Sequence, residues 1–467
     1  MRRHQDASPI DSSVPHSQDF FSLSVRPMFA SLAVPALLLA PFAAIQIADA
    51  EPVEMLAYRM ETFAEFGQAA VISPRAQQQL KNSGIMQGPL PSTASATGSI
   101  KRAGVVSRIL ERMMQRRKAA GLPPAPETPP VPVFTGPSHQ EIMRNVTGVF
   151  LTSGSAGRAQ FLDDTMRDVK AAGGNAIIID VKGSRVYFST DASLANQYEL
   201  VQPMYDLPAI IEKAHAEGLY VMGRLIAVKD DGITSRAPET LVRHPVSNAV
   251  LSYGWIDPSN ELALQYNREV ICSLAKMGID EINLDYIRFS TANFGALKVW
   301  TGQEKAEKVR KFVEMTRATI DECGPKTLFG MSSYAILGWN YPVNLETLGQ
   351  DIVAFAPMVD IISPMAYPAT FTSPEYYVPG RNPGSRMYWL VYRTMTGYQE
   401  LLGPEHSKKI RPWIQGYGVT TQNMKDQMQA LTDAGVCGFQ VWSAGNNYAP
   451  TYAAMPSFRR PENCAAM

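Results

Sequence analysis

The chain has 467 residues, and its 43 Lys+Arg balance 43 Asp+Glu, so the formal net charge is zero. That balance argues against a nucleic-acid partner, and the length has room for one large barrel plus an extension or for two ordinary domains. Four cysteines (Cys272, Cys323, Cys437, Cys464) lie far apart without metal-ligand spacing, which argues against a zinc site. Cys272 sits inside a helical pattern, so free buried thiols are expected in preference to disulfides.

Arg2 and Arg3 begin a polar lead, Arg26 precedes an apolar run from Met28 to Ile47, and Ala48-Asp49-Ala50 has the small-x-small form of a signal-peptidase site. Residues 1–50 are therefore expected to be a cleaved secretory signal. The alternative is an uncleaved anchor that keeps the protein beside a membrane. In both cases the bulk of the chain is expected in the periplasm or outside the cell. Residues 51–144 form an extension without a sustained strand pattern. It holds a basic helical stretch over 100–120, read as a solvated face with an anionic membrane or polymer surface as the alternative, and a stiff proline-rich linker from Leu122 to Pro132.

From Val146 the texture becomes a strict alternation of strand and helix. Strands are expected at 146–152, 176–182, 220–228, within 278–289, and at 327–335, 359–367, 410–417 and 436–442. Intervening helices are read near 160–172, 207–217, 261–277 and 303–322. Eight such units predict a (β/α)₈ barrel over 145–455, followed by a tail over 456–467. Glycines at 173–174, 218, 278 and 435 stand where a helix must stop before a strand.

The fourth strand carries the main functional signal. Ile282 and Leu284 alternate with Glu281, Asn283 and Asp285, giving an apolar face toward helices and a polar face into the lumen. Asp285 ends that strand at the catalytic rim of such a barrel. The same parity turns Asp180 and Lys182, Arg224, Tyr367, Trp413 and Gln415, and Gln440 and Trp442 inward. Flat aromatic faces beside amides and carboxylates suit a sugar ring. Glycosidic cleavage needs two carboxyl groups, and Asp285 supplies one. Asp180, then Asp230, then Glu375 are candidates for the other, while Glu281 reads as a structural acid within the lumen and Asp257 as a helix N-cap ahead of Pro258. The histidines lack metal-ligand spacing, Ser153-Gly-Ser-Ala-Gly157 lacks the lysine of a phosphate loop, and no cofactor or metal is expected.

Val149-Phe-Leu-Thr152, Ile179-Asp-Val-Lys182, Trp255-Ile-Asp-Pro258, the 280–289 segment, Ser363-Pro-Met-Ala-Tyr-Pro368, Arg411-Pro-Trp-Ile-Gln415 and Gly438-Phe-Gln-Val-Trp-Ser443 occur in that order. Together, over roughly 145–450, they resemble the bacterial barrel family described as "putative glycoside hydrolase". A fainter likeness links Asp280, Asn283 and Asp285, with Met365-Ala-Tyr367 and Trp442, to chitinase-type family 18 barrels. The catalytic acid of that family would fall on Ile287, which speaks against a chitinase mechanism. The resemblance implies an O-glycoside hydrolase acting on a polysaccharide of the envelope or exterior. Asp285 would be nucleophile or base, Asp180 or Asp230 its partner, Arg224, Arg288 and Tyr367 the orienting groups, and Trp413, Gln415, Gln440 and Trp442 the sugar-lining groups. A catalytically silent glycan-binding barrel and an envelope scaffold are the alternatives.

Overall fold

Strands with one apolar face each need helices to cover that face, and eight of them satisfy the requirement by closing on themselves. In a computed structural model of the chain, residues 143–464 are described, together with one short parallel pairing of Ile45–Gln46 with Ala70–Val71. Apart from Ile45–Gln46, the expected signal segment lies outside the described residues, as do the basic stretch and the proline linker. Barrel strands are β1 (Thr147–Leu151), β2 (Ala176–Lys182), β3 (Tyr220–Ile226), β4 (Glu281–Asp285), β5 (Leu328–Tyr334), β6 (Ile361–Ala366), β7 (Trp413–Gln415) and β8 (Phe439–Trp442). All are parallel, each pairs with its successor, and β8 pairs with β1, so the sheet is a closed barrel.

One main helix follows each strand: α1 (Ala159–Ala171), α2 (Leu207–Ala216), α3 (Glu261–Lys276), α4 (Gly302–Cys323), α5 (Tyr341–Leu348), α6 (Arg386–His406), α7 (Thr421–Asp433) and α8 (Ala449–Ala454). Short polar side chains set several of their starts. Thr301 and Glu304 form a reciprocal capping box on α4, as Thr420 and Asn423 do on α7. The turn into β4 runs through Gly278 at φ 78°, where a Cβ would be strained, and Gly173, Gly218 and Gly435 repeat the device.

The parity read from β4 is the parity observed. Ile282 and Leu284 join the outer core between strands and helices, with Ile177, Ile179, Val181 and Val221. Phe150, Ile178, Met222, Ile361, Trp413 and Trp442 fill the lumen. Glu281 is buried there, accepting from Arg411 Nη2 at 2.5 Å, Tyr220 Oη at 2.9 Å and Asn283 Nδ2 at 3.0 Å. Gly330 makes room for this network, since a Cβ on it would stand 2.2 Å from Glu281 Oε1.

Between β3 and α3 the chain forms an antiparallel hairpin, 241–243 with 250–256. Three local expectations are corrected. Asp257 does not cap α3; Asn260 does, while Asp257 accepts from Ser259 and Lys308. The cysteines are paired rather than free: Cys272–Cys323 joins α3 to α4, and Cys437–Cys464 ties the chain ahead of β8 to the C-terminal segment. Finally, the register slips between Asp180 and Lys182, so that Asp180 pairs with inward Arg224 but Lys182 pairs with outward Leu225. That bulge turns Lys182 out of the lumen and toward the helices.

Candidate active site

The carboxyl ends of the strands surround an open cleft of about 950 Å³. Asp285 and Arg224 lie at its base, 5 % and 7 % exposed. Arg224 comes from the polar parity of β3, one strand away from Asp285, and its planar fork is shared between two acids. Nε and Nη2 contact Asp285 Oδ2 at 2.9 and 2.7 Å, and Nη1 contacts Asp180 Oδ1 at 2.5 Å. A guanidinium edge of ~2.3 Å between contacts of 2.5 and 2.7 Å keeps those carboxylate oxygens within about 7.5 Å of each other. Burial opposes the charge on Arg224, but Asp180 and Asp285 more than offset it and hold the guanidinium above its ordinary range.

The second carboxylate oxygen of Asp285, Oδ1, accepts from the backbone N–H of Tyr286 at 2.7 Å. Tyr286 itself has φ 53°, a left-handed conformation that costs a residue with a side chain roughly 1–3 kcal/mol. This turn ends β4 abruptly and brings the Tyr286 ring into the cleft wall. Arg288 follows and is nearly buried among rings, 5.0 Å from Trp255, 5.1 Å from Tyr286 and 4.4 Å from Tyr334. Its Nη2 donates to Tyr334 Oη at 2.8 Å and its Nη1 to Phe289 O at 3.0 Å. Across the cleft, Trp442 stacks on Phe150 at 6.1 Å and meets Tyr367 at 5.9 Å, making an aromatic wall.

Five residues expected at the site thus line one cleft: Asp285, Arg224, Arg288, Tyr367 and Trp442. Asp180 joins them through Arg224. Gln415 acts on the loops, accepting from Ala369 N–H and donating to Tyr417 O. Trp413 and Gln440, expected to line the sugar site, lie lower in the lumen. Trp413 donates to Ser332, while Gln440 accepts from Arg411 and donates to Ser363, and both are at most 1 % exposed.

Lys182 and Asp230 do not reach the cleft. They form a fully buried ion pair at 2.7 Å, with Lys182 also donating to Ile226 O and facing the Tyr266 ring of α3. Asp230 Oδ1 meanwhile accepts from Ile233 N–H and caps the short helix Asp231–Arg236. With both oxygens so engaged, Asp230 holds a loop in place away from the cleft. Glu375 is exposed and off the cleft, although its neighbours Ser373 and Tyr376 line it. Ile287 is buried in the outer core, so the family 18 acid has no counterpart there.

Residue-type reasoning sought carboxylates and so passed over Tyr286, Tyr334 and Tyr376, which line the cleft. The signal for Tyr334 was present: it ends β5 with the inward parity of Ser332. Among the described residues no cluster of His, Cys, Asp and Glu suits a metal ion.

A family model described as "Putative glycosyl hydrolase domain" matches residues 148–448. No curated protein matches the chain. Among solved structures, a hypothetical protein from Ruminiclostridium thermocellum ATCC 27405 is 23% identical over 39% of this chain and 96% of its own, with a TM-score of 0.33. A β-galactosidase from the psychrophilic Marinomonas ef1 is 11% identical over 68% of this chain and 58% of its own, with a TM-score of 0.45. An endo-β-1,4-mannanase from Thermotoga petrophila is 12% identical over 69% and 77%, also with a TM-score of 0.45.

Proposed function

The chain belongs to the glycosyl hydrolase domain family whose model it matches, and on that premise we propose that it is an exported hydrolase of O-glycosidic bonds in an extracellular or envelope polysaccharide. Asp285 is the carboxylate that acts at the anomeric carbon, as nucleophile or as base on water. The observation that carries this reading is the Asp285–Arg224–Asp180 bridge at the base of an aromatic-walled cleft, on the end of the barrel where such chemistry resides. Arg224 fixes the orientation of Asp285, and the Trp442–Tyr367 wall offers apolar faces to sugar C–H groups. Two disulfides, which persist in oxidising compartments, support the export.

A second reading has its own observation: among the described residues, Asp285 is the only carboxylate lining the cleft. A barrel that binds glycan without cleaving it would retain such a groove. Reducing-sugar release from a panel of bacterial and plant polysaccharides, with wild type and Asp285→Asn, separates the two. Cleavage by wild type, reduced ~10²–10⁴-fold in the variant with its circular dichroism unchanged, is the expected result. Absence of cleavage, with one polymer bound equally by both proteins, would establish the receptor.

A further inference from the structure

Asp285 and Arg224 sit at the base of the cleft, but the cleft continues past the strand ends. Its outer lining comes from two connections: the turn after β5, with Ile336, and the segment after β6, with Phe371, Thr372, Ser373 and Tyr376. Among the described residues, no charged side chain of these two connections lines the cleft. The whole cleft, about 950 Å³, lies at the upper end of the ~300–1,000 Å³ range of pockets that enclose drug-sized ligands. That leaves room beyond the one sugar unit that reacts at Asp285.

This outer arm has a core of its own. Tyr367 and Trp442 belong to the packing of the lumen, whereas Phe371 and Tyr376 form a separate apolar cluster with Trp339, Leu390 and Trp389. The Trp339 ring lies 5.2 Å from Phe371 and 5.2 Å from Tyr376, and Phe371 lies 5.3 Å from Tyr376. Tyr376 meets Trp339 at 89° and Phe371 at 77°, the edge-to-face geometry that aromatic pairs favour. The backbone is tied at both ends of the 371–376 segment by the start of α6. Arg386 Nη2 donates to Phe371 O, and Trp389 Nε1 donates to Tyr376 O at 3.0 Å. Trp339 is held by the same helix, its Nε1 donating to Thr394 Oγ1 at 3.0 Å. Phe371 is buried as the foundation, while Tyr376 is half-buried and turned to the cleft. A ring fixed in this way loses little conformational freedom when a ligand lies against it.

We propose that the Tyr376 arm is a second sugar-binding position, taking a unit of the polysaccharide adjacent to the one that reacts at Asp285. This rests on the glycoside-hydrolase reading of the same cleft. An uncharged ring suits the C–H face of a pyranose, and the Thr372 and Ser373 hydroxyls beside it suit the hydroxyls at the sugar's edge. Recognition then extends along the chain, so that the protein favours oligosaccharides over single sugars.

The test is calorimetric titration of unlabelled oligosaccharides of one to four units, cut from each polysaccharide of the panel, into full-length Asp285→Asn, which does not turn them over. Affinity should rise by about tenfold at one step of chain length. Adding Tyr376→Ala should abolish that rise, with a much smaller loss on the single sugar. Adding Tyr376→Phe, which keeps the ring, should retain most of it. No gain with chain length in Asp285→Asn would overturn the second position without recourse to any Tyr376 variant. A gain that survives Tyr376→Ala, or equal losses at every length, would do the same, and cleavage of the polymer by wild type would leave the hydrolase standing. A Tyr376-dependent gain without cleavage by wild type would keep the second position and remove the hydrolase. No affinity for any oligosaccharide, with no cleavage, would remove both.

Discussion

Asp230 offers the sharpest separation between a carboxylate that reacts and one that builds. Asp230→Asn keeps an Oδ1 atom for the Ile233 N–H, because asparagine caps a helix as well as aspartate does. It removes only the negative charge facing the Lys182 ammonium, both side chains being wholly buried. Lys182 would keep the Ile226 carbonyl and the Tyr266 ring but lose its ionic partner. Breaking one half of a buried pair costs about 3–5 kcal/mol, and Asp230→Ala should cost ~1 kcal/mol more through the lost cap. For a barrel of this size, the single charge removal corresponds to a drop in Tm on the order of 10 °C. The double variant Lys182→Met/Asp230→Leu should recover most of the loss, because a hydrophobic pair carries no desolvation cost. Urea unfolding followed by near- and far-UV circular dichroism is the assay, and coincident transitions license conversion to free energy. The folded fraction of Asp230→Asn should retain wild-type activity per active molecule. An unchanged unfolding midpoint combined with a hundredfold loss of activity would refute the reasoning and return Asp230 to the rim.

Arg224→Lys keeps a positive charge but cannot span both carboxylates, since an ammonium is a point donor. It should lower kcat by ~10²-fold through misplacement of Asp285, with protein stability and KM changed much less, as steady-state kinetics and thermal unfolding would register. Replacing Cys272 and Cys323 together by serine removes the link between α3 and α4 across a separation of 51 residues. The expected cost is about 2–4 kcal/mol in chemical unfolding, and non-reducing peptide mapping of the native protein should recover both disulfide pairs. Thiols at all four positions would contradict the pairing and weaken the case for export.

The barrel was legible because its signal is repeated and local. β4 announces its two faces through Ile282 and Leu284 against Glu281, Asn283 and Asp285, and no tertiary information is needed to sort them. The inward placement of Arg224, Tyr367 and Trp442 follows from the same rule. Lys182 shows its limit. One extra residue in β2 shifts the pairing from Arg224 to Leu225, and every parity argument beyond that point inverts. The hairpin at 241–256 escaped detection because three residues of one strand and the glycine-broken alternation of the other leave little pattern. The disulfides were invisible for a different reason. A 5.2 Å approach of Cα272 to Cα323 is a property of how α3 packs on α4, and neither helix encodes it alone. At the site, Tyr334 satisfied the parity rule but not the search for carboxylates, so geometry and not residue type brings it forward.

The filled lumen governs how material enters and leaves. Trp413 and the Glu281–Arg411–Gln440 network close the barrel beneath Asp285, and Phe150 blocks the space under Arg224. The cleft is closed below, so nothing can thread through the barrel axis. Under the proposed function, a polysaccharide would enter, and its fragments would leave, by the same face.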